Sequence, residues 1–218
     1  MAMNRRDFLR ISAALTAAGM SPSLFAATKE QFTIYGAPAM PSVTIAVAAA
    51  QGKLAKQADV ALEIWRSPDQ LRAGVASGQF KVMMSPSNVG VNLRNQGQQV
   101  GMVNILTNGI TQLMCKSTPI TSPQELVGKK ILVPFKNDMP DIVLQALLKK
   151  LNIDINKVEI TYAATPTEAI GLFLLKDFHA AILPEPMASA VVQKAKIVGT
   201  AIVRGFDLVK EWGQAFNT

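Results

Sequence analysis

Two stretches of this chain follow one plan, and that duplication limits the fold more than any other feature. Phe32-Thr33-Ile34-Tyr35-Gly36 leads through Ala37-Pro38-Ala39 to Met40-Pro41, and Ile131-Leu132-Val133-Pro134-Phe135 leads through Lys136-Asn137-Asp138 to Met139-Pro140, 99 positions on. Further along, Ser67-Pro68-Asp69-Gln70 opens a segment ending Phe80-Lys81-Val82-Met83-Met84-Ser85-Pro86. Its counterpart, offset by 98, runs from Thr165-Pro166-Thr167-Glu168 to Phe178-His179-Ala180-Ala181-Ile182-Leu183-Pro184. Self-similarity at a fixed offset signals a repeated structural unit.

Each copy reads as three strands alternating with three helices. The predicted strands are 32–35, 60–65 and 81–84 in the first copy, and 130–134, 158–162 and 179–183 in the second. Ser67-Pro68-Asp69-Gln70, Ser122-Pro123-Gln124-Glu125 and Thr165-Pro166-Thr167-Glu168 have the form of capping boxes. A hydroxyl N-cap precedes a proline whose missing N–H is harmless, with Gln or Glu three places on. Ile142, Val143, Leu144, Leu147, Leu148 and Leu151 give the first helix of the second copy one broad apolar face, ending at Asn152. Alternation at this spacing implies parallel strands with helices on both faces, hence two α/β lobes. Gln99–Leu106 and Thr111–Lys116 read as two further strands, broken by Thr107-Asn108-Gly109, that carry the chain between the lobes. The expected division is a leader over 1–26, a first lobe over 27–107, a second over 108–200, and over 201–218 the start of a segment returning to the first lobe.

The leader is Asn4-Arg5-Arg6-Asp7-Phe8-Leu9-Arg10, then a mildly apolar run from Ile11 to Met20, then Ser21-Pro22-Ser23-Leu24-Phe25-Ala26-Ala27. Charged, apolar and small-residue regions in that order make a twin-arginine export signal and imply a periplasmic destination. A basic amino-terminal helix of a cytoplasmic protein is the alternative; the paired arginines followed directly by Phe8-Leu9 argue against it. The apolar run is shorter than the roughly 18 residues that a membrane span needs. Net charge is +7, and without Arg5, Arg6, Arg10 and Asp7 it is +5. No Lys/Arg run is interleaved with aromatics, so nucleic acid is not an expected partner. The single cysteine, Cys115, cannot form an internal disulfide and sits in an apolar stretch that suits a buried thiol. No phosphate loop, metal-ligand spacing or nucleophile motif is present, and the one histidine, His179, opens an apolar strand, which suits a structural role. No cofactor or metal and no enzymatic activity is expected.

In open parallel sheets, ligands bind beyond the carboxyl ends of the strands, at helix N-termini. That rule selects 36–39, 85–88, 135–138 and 184–186, a pair of loops on each lobe able to face each other across a closing cleft. Ile120-Thr121-Ser122-Pro123-Gln124-Glu125-Leu126-Val127-Gly128-Lys129-Lys130-Ile131-Leu132-Val133-Pro134 and the strand exit Ala180-Ala181-Ile182-Leu183-Pro184-Glu185-Pro186 resemble the solute-binding proteins of nitrate/sulfonate/taurine-type ABC transporters. The resemblance runs from about Phe32 to Trp212. It implies the two-lobed type II periplasmic binding protein fold, capture of a small molecule, and delivery by a monomer to a membrane permease and its ATPase. It also implies ligand contacts at Tyr35, Gly36 and Pro38, at Ser87 and Asn88, at Asn137 and Asp138, and at Glu185. Plainer roles stand beside these: an N-cap for Ser87 and Asn88, a first-turn acid complementing the helix dipole for Glu185, and a water-facing Lys136 in place of an anion contact.

Members of that family normally continue further and return to complete the first lobe. The chain is therefore expected to be a truncated product with exposed apolar surface and reduced stability. Asp138, Asp141 and Glu185 crowd the second lobe, whereas nitrate and sulfonate binders favour neutral or basic clefts, so the ligand class stays open. A ligand-sensing subunit needs the same cleft. An enzyme on the same fold is a further alternative, although the cysteine-rich motif of the thiamine-precursor enzymes that share it is missing.

Overall fold

A computed structural model describes residues 31–53, 55 and 58–217. The leader over 1–26 lies outside the described residues. The first lobe contains β1 (Gln31–Gly36), α1 (Pro41–Ala50), β2 (Asp59–Ile64), α2 (Pro68–Ala76), β3 (Val82–Met83) and α3 (Ser87–Asn95). The second contains β4 (Thr111–Lys116), β5 (Lys130–Pro134), α4 (Met139–Lys150), β6 (Glu159–Ala163), α5 (Pro166–Leu175), β7 (Ala180–Pro184), α6 (Met187–Ile197), β8 (Ile202–Arg204) and α7 (Leu208–Phe216). The sheets have the orders β2-β1-β3 and β6-β5-β7-β4-β8. β1 is parallel to β2 and β3, as β5 is to β6 and β7, so the sequence repeat is also a repeat of sheet topology.

The pleat explains why the central second-lobe strands β5 and β7 are apolar on both faces. Along β5, Ile131 and Val133 join the core under α4 and α7, while Leu132 joins the core under α5 and α6. β4 and β7 divide likewise, with Leu113, Cys115, Ala180 and Ile182 on one face and Met114, Ala181 and Leu183 on the other. The Cys115 thiol is buried, accepts the Ile120 N–H at 3.5 Å, and is pushed up from its ordinary pKa chiefly by that burial. His179 is structural as well, its Nδ1 accepting the Lys130 N–H at 3.0 Å.

The first lobe has a smaller core, formed by Tyr35, Trp65, Leu71, Val75, Phe80, Val89 and Leu93. Tyr35 and Phe80 stack with centroids 3.6 Å apart, and a Cβ on Gly74 would come within 2.5 Å of the Phe80 ring. Alanine at a helix interior gains about 1 kcal/mol over glycine, but here the ring that would have to yield is held by Tyr35. Overpacking of about 1–3 kcal/mol should outweigh that gain. Gly74→Ala is expected to lower the urea midpoint of the first lobe, and an unchanged or raised midpoint would show that Phe80 has room to move.

Three sequence expectations are corrected. Gln99–Leu106 is not a strand. The 99-residue offset aligns Val103 with Ile202 in β8, and β8 exists because the antiparallel β4 lies between it and β7. Among the described residues no strand flanks the corresponding edge of β3, so 99–106 has no ladder to join and Val103 is 99% exposed. The second correction concerns residues 202–216, which are part of the second lobe. β8 adds to β4, and Phe206, Leu208 and Trp212 pack into the second-lobe core. Third, the Ser122 box opens only a 3-10 turn, Pro123–Leu126, which ends at Val127 before the left-handed Gly128. The other two boxes do start helices: Ser67 accepts from Gln70 N, and Thr165 accepts from Glu168 N. In both, the reciprocal bond reaches the residue before the cap, Arg66 N to Gln70 and Ala164 N to Glu168.

Candidate functional site

Two strand exits on each lobe meet across the lobes, each of the four loops facing a partner on the other side. The Met40 N–H at the foot of α1 donates to Glu185 O at 2.8 Å. Asn88, in the first turn of α3, donates through Nδ2 to Asp138 Oδ1 at 3.0 Å. The first contact joins the β1–α1 loop to the β7–α6 loop, and the second joins the β3–α3 loop to the β5–α4 loop. A separate pocket lined by Gln31, Phe32, Thr33, Asp59, Val60 and Ala61 lies at the opposite, amino-terminal ends of the strands.

Asp138 is central to the second contact. As N-cap of α4 it accepts the Met139 N–H at 2.8 Å, and only 4% of it is exposed. Arg72 Nη2 lies 4.0 Å from Asp138 Oδ2, but that guanidinium is 44% exposed and also bonds Asp69. A long pair with one exposed partner contributes about 0–1 kcal/mol, whereas a hydrogen bond to a charged group contributes about 1.5–3 kcal/mol. Asn88 is thus the principal partner of Asp138 from the first lobe. The orientation of its amide follows, since reversing it would set Oδ1 against a carboxylate. Asn88 Oδ1 is left buried without a partner among the described residues.

The loop carrying Asp138 is tightly folded. Phe135 and Asn137 both have φ of 61°, and the Asp138 N–H closes the turn on Phe135 O at 3.0 Å. Asp141, fully buried, clamps it by accepting from Asn137 N at 2.8 Å, Gln145 Nε2 at 2.7 Å and Tyr162 Oη at 3.0 Å. Burial, then the bond to Asp141, raises the Tyr162 phenol above its ordinary value, so it remains a donor at neutral pH. Lys136 extends over the Tyr162 ring, 5.2 Å from its centroid.

The other sequence-selected residues divide by environment. Pro38 is half-buried in the β1 exit, and Ser87 and Asn137 are exposed on the lips of the cleft. Ser87 is not an N-cap: Pro86 holds that position and makes no side-chain cap bond. Tyr35 is committed to the first-lobe core by its stack on Phe80. Gly36 answers to packing, since a Cβ there would stand 2.6 Å from Ser42 Oγ and 2.8 Å from Ile64; the buried Ser42 hydroxyl donates to Ala37 O and fixes the loop. The Glu185 side chain is tied within its own lobe, to Arg204 Nη2 at 2.7 Å and to Ser189 N at 3.1 Å. Sequence reading missed Arg204 and Arg72; neither carries a local motif signal.

Burial pushes the Glu185 carboxyl up, but the bonds from Arg204 and Ser189 outweigh it and hold it below its ordinary value. A depressed folded pKa contributes stability that is complete above the unfolded value of about 4.3. That stability is lost as pH falls through the folded value. Glu185→Gln is therefore expected to flatten the acid limb of a pH–stability curve below about pH 4.3, measured by thermal melting; an unchanged limb would remove this pair from the acid response.

Residues 2–22 match the TAT (twin-arginine translocation) pathway signal sequence, which marks the chain as a periplasmic, exported protein. The comparison with curated proteins finds no match. Among solved structures, an ABC transporter from Parabacteroides distasonis is similar with a TM-score of 0.59 and 20% identity, over 83% of this chain and 59% of that one. The alkanesulfonate-binding protein SsuA of Xanthomonas axonopodis pv. citri, bound to MOPS, gives 0.59 and 17%, over 88% and 71%. The periplasmic aliphatic sulphonate binding protein SsuA of Escherichia coli gives 0.56 and 12%, over 85% and 67%. The chain thus has the type II periplasmic binding protein fold and spans 59% of the length of the Parabacteroides protein. Residues 40–174, more than half of the sequence, match the family described as NMT1/THI5 like, and the chain belongs to that family.

Proposed function

We propose that this protein is an extracytoplasmic solute-binding protein, which takes a small molecule between its lobes and delivers it as a monomer to an ABC permease and ATPase of the nitrate/sulfonate/taurine-like class. The observation that carries this reading is the convergence of four strand-exit loops, two from each lobe, on one interlobe seam. The export signal and the similarity to an ABC transporter and to two sulfonate-binding proteins support it. Pro38, Ser87, Asn88, Asn137 and Asp138 are the proposed ligand-facing residues, while Tyr35, Gly36 and Glu185 are proposed to hold the loops in shape. The role is binding without turnover.

The test is a thermal-shift screen of the exported chain against sulfonates, nitrate, bicarbonate, pyrimidines and aromatic acids, with mass spectrometry of any co-purified solute. A raised melting temperature with the solute recovered unchanged is expected. Chemical conversion of a hit, or no solute found by either route, would overturn the reading.

A further inference from the structure

We propose that Asn88 and Asp138 form a latch that holds the cleft shut in the solute-free protein. The inference deepens the solute-binding reading and rests on it for the purpose of the cleft, but its physical basis is independent of any solute. Asn88 reaches out of the first turn of α3 and Asp138 caps α4, 50 residues apart in sequence and on different sheets. Each side chain has a specific reason to make the contact. The carboxylate is almost wholly buried, and its other short bond goes to its own helix, so it requires a donor from across the seam. The amide orientation that meets it leaves Asn88 Oδ1 buried and, among the described residues, unpartnered, a cost that persists while the latch is closed. A solute entering between these lips breaks the contact, and it must return an N–H or O–H donor to Asp138. The latch is thus closed enough to order the cleft and has an unsatisfied acceptor whose relief favours opening.

The second interlobe bond, Met40 N–H to Glu185 O, reports on the latch without being part of it. Amide hydrogen exchange on the solute-free full chain therefore reads closure directly. Asn88→Asp sets a carboxylate against Asp138 and should speed exchange at Met40 by about tenfold or more, the scale of one charge-assisted hydrogen bond. Exchange at Ile34 in β1 and Leu132 in β5 should not change. Asp138→Asn alone should have a smaller effect than Asn88→Asp, because asparagine gives up the charge but is an equally good N-cap and still accepts from Asn88. The double variant Asn88→Asp with Asp138→Asn restores a donor–acceptor pair and should return Met40 to near its original protection. Unchanged Met40 exchange in Asn88→Asp, or failure of the double variant to restore it, overturns the latch. If Asn88→Asp also exposes Ile34 and Leu132, Asn88→Ala replaces it; faster Met40 exchange then supports the latch and unchanged exchange overturns it. Solute binding that fails while Met40 responds as described would count against the functional reading and leave the latch standing.

Discussion

Asp141→Ala is expected to destabilise the second lobe by about 3 kcal/mol, the scale set by removing a buried charged acceptor from several donors at once. For a chain of this length that corresponds to a fall in melting temperature of roughly 6–12 °C. The carboxylate takes hydrogen bonds from a backbone N–H, an amide and a phenol, and none of its surface is exposed. Gln145 and Asn137 are exposed and can turn to water, but the half-buried Tyr162 hydroxyl cannot do so as freely. Losing the Asn137 bond also releases a turn with two left-handed residues. For Phe135 that conformation costs roughly 1–2 kcal/mol and persists only where its surroundings impose it. Relaxation of the turn would move Asp138, so solute binding should fail along with stability. Asp141→Asn keeps one acceptor and should fall between alanine and the parent. A loss below 1 kcal/mol for alanine would mean that the turn is held by other contacts.

Asp141 also shows where sequence reading reaches its limit. The sequence reading placed the acid in a crowded acidic patch, and that crowding left the ligand class open. The structure separates the three acids by their partners. The Asp141 side chain is consumed by its own loop and that of Glu185 by Arg204 and Ser189, and of the three only the Asp138 side chain meets the other lobe. These assignments depend on contacts between residues as distant as Asn88 and Asp138, and no local pattern encodes them. By contrast, the strands were legible because their signals are local: alternating burial, proline-started helices and a repeat that carried the topology from one lobe to the other. Gln99–Leu106 looked like a strand for the same local reasons. A strand also needs a neighbour, and its propensity could not reveal that the β3 edge lacks one among the described residues. Gly36 was legible as a special position, but the reason lay in the approach of α1 and Ser42 rather than in a ligand.

The first lobe should prove the weaker one, and Trp65 is where this can be tested with the largest effect. Its indole is 4% exposed within a core of seven buried residues, while the second lobe has a core on each face of a five-stranded sheet. Trp65 also ties together both first-lobe strand exits. Its backbone N–H donates to Gly36 O at 3.0 Å, and its indole Nε1 donates to Met84 O at 2.9 Å. Trp65→Ala should therefore cost about 3–5 kcal/mol. In a lobe with so small a core, that is enough to unfold it while the second lobe stays folded. The other tryptophan, Trp212, lies in α7 on the second-lobe core, stacked on Phe216 with centroids 4.2 Å apart. Fluorescence of the Trp65→Ala variant thus reports the second lobe alone. Circular dichroism should show an early loss of structure to which Trp212 emission is silent, followed by a later transition seen by both. Trp65→Phe keeps most of the apolar volume and gives up the bond to Met84 O, so it should cost about 1 kcal/mol and remain a single folded species. Coincident transitions by both probes in the alanine variant would show instead that the lobes stand or fall together. The interlobe seam would then have to contribute more than the two short hydrogen bonds that cross it among the described residues.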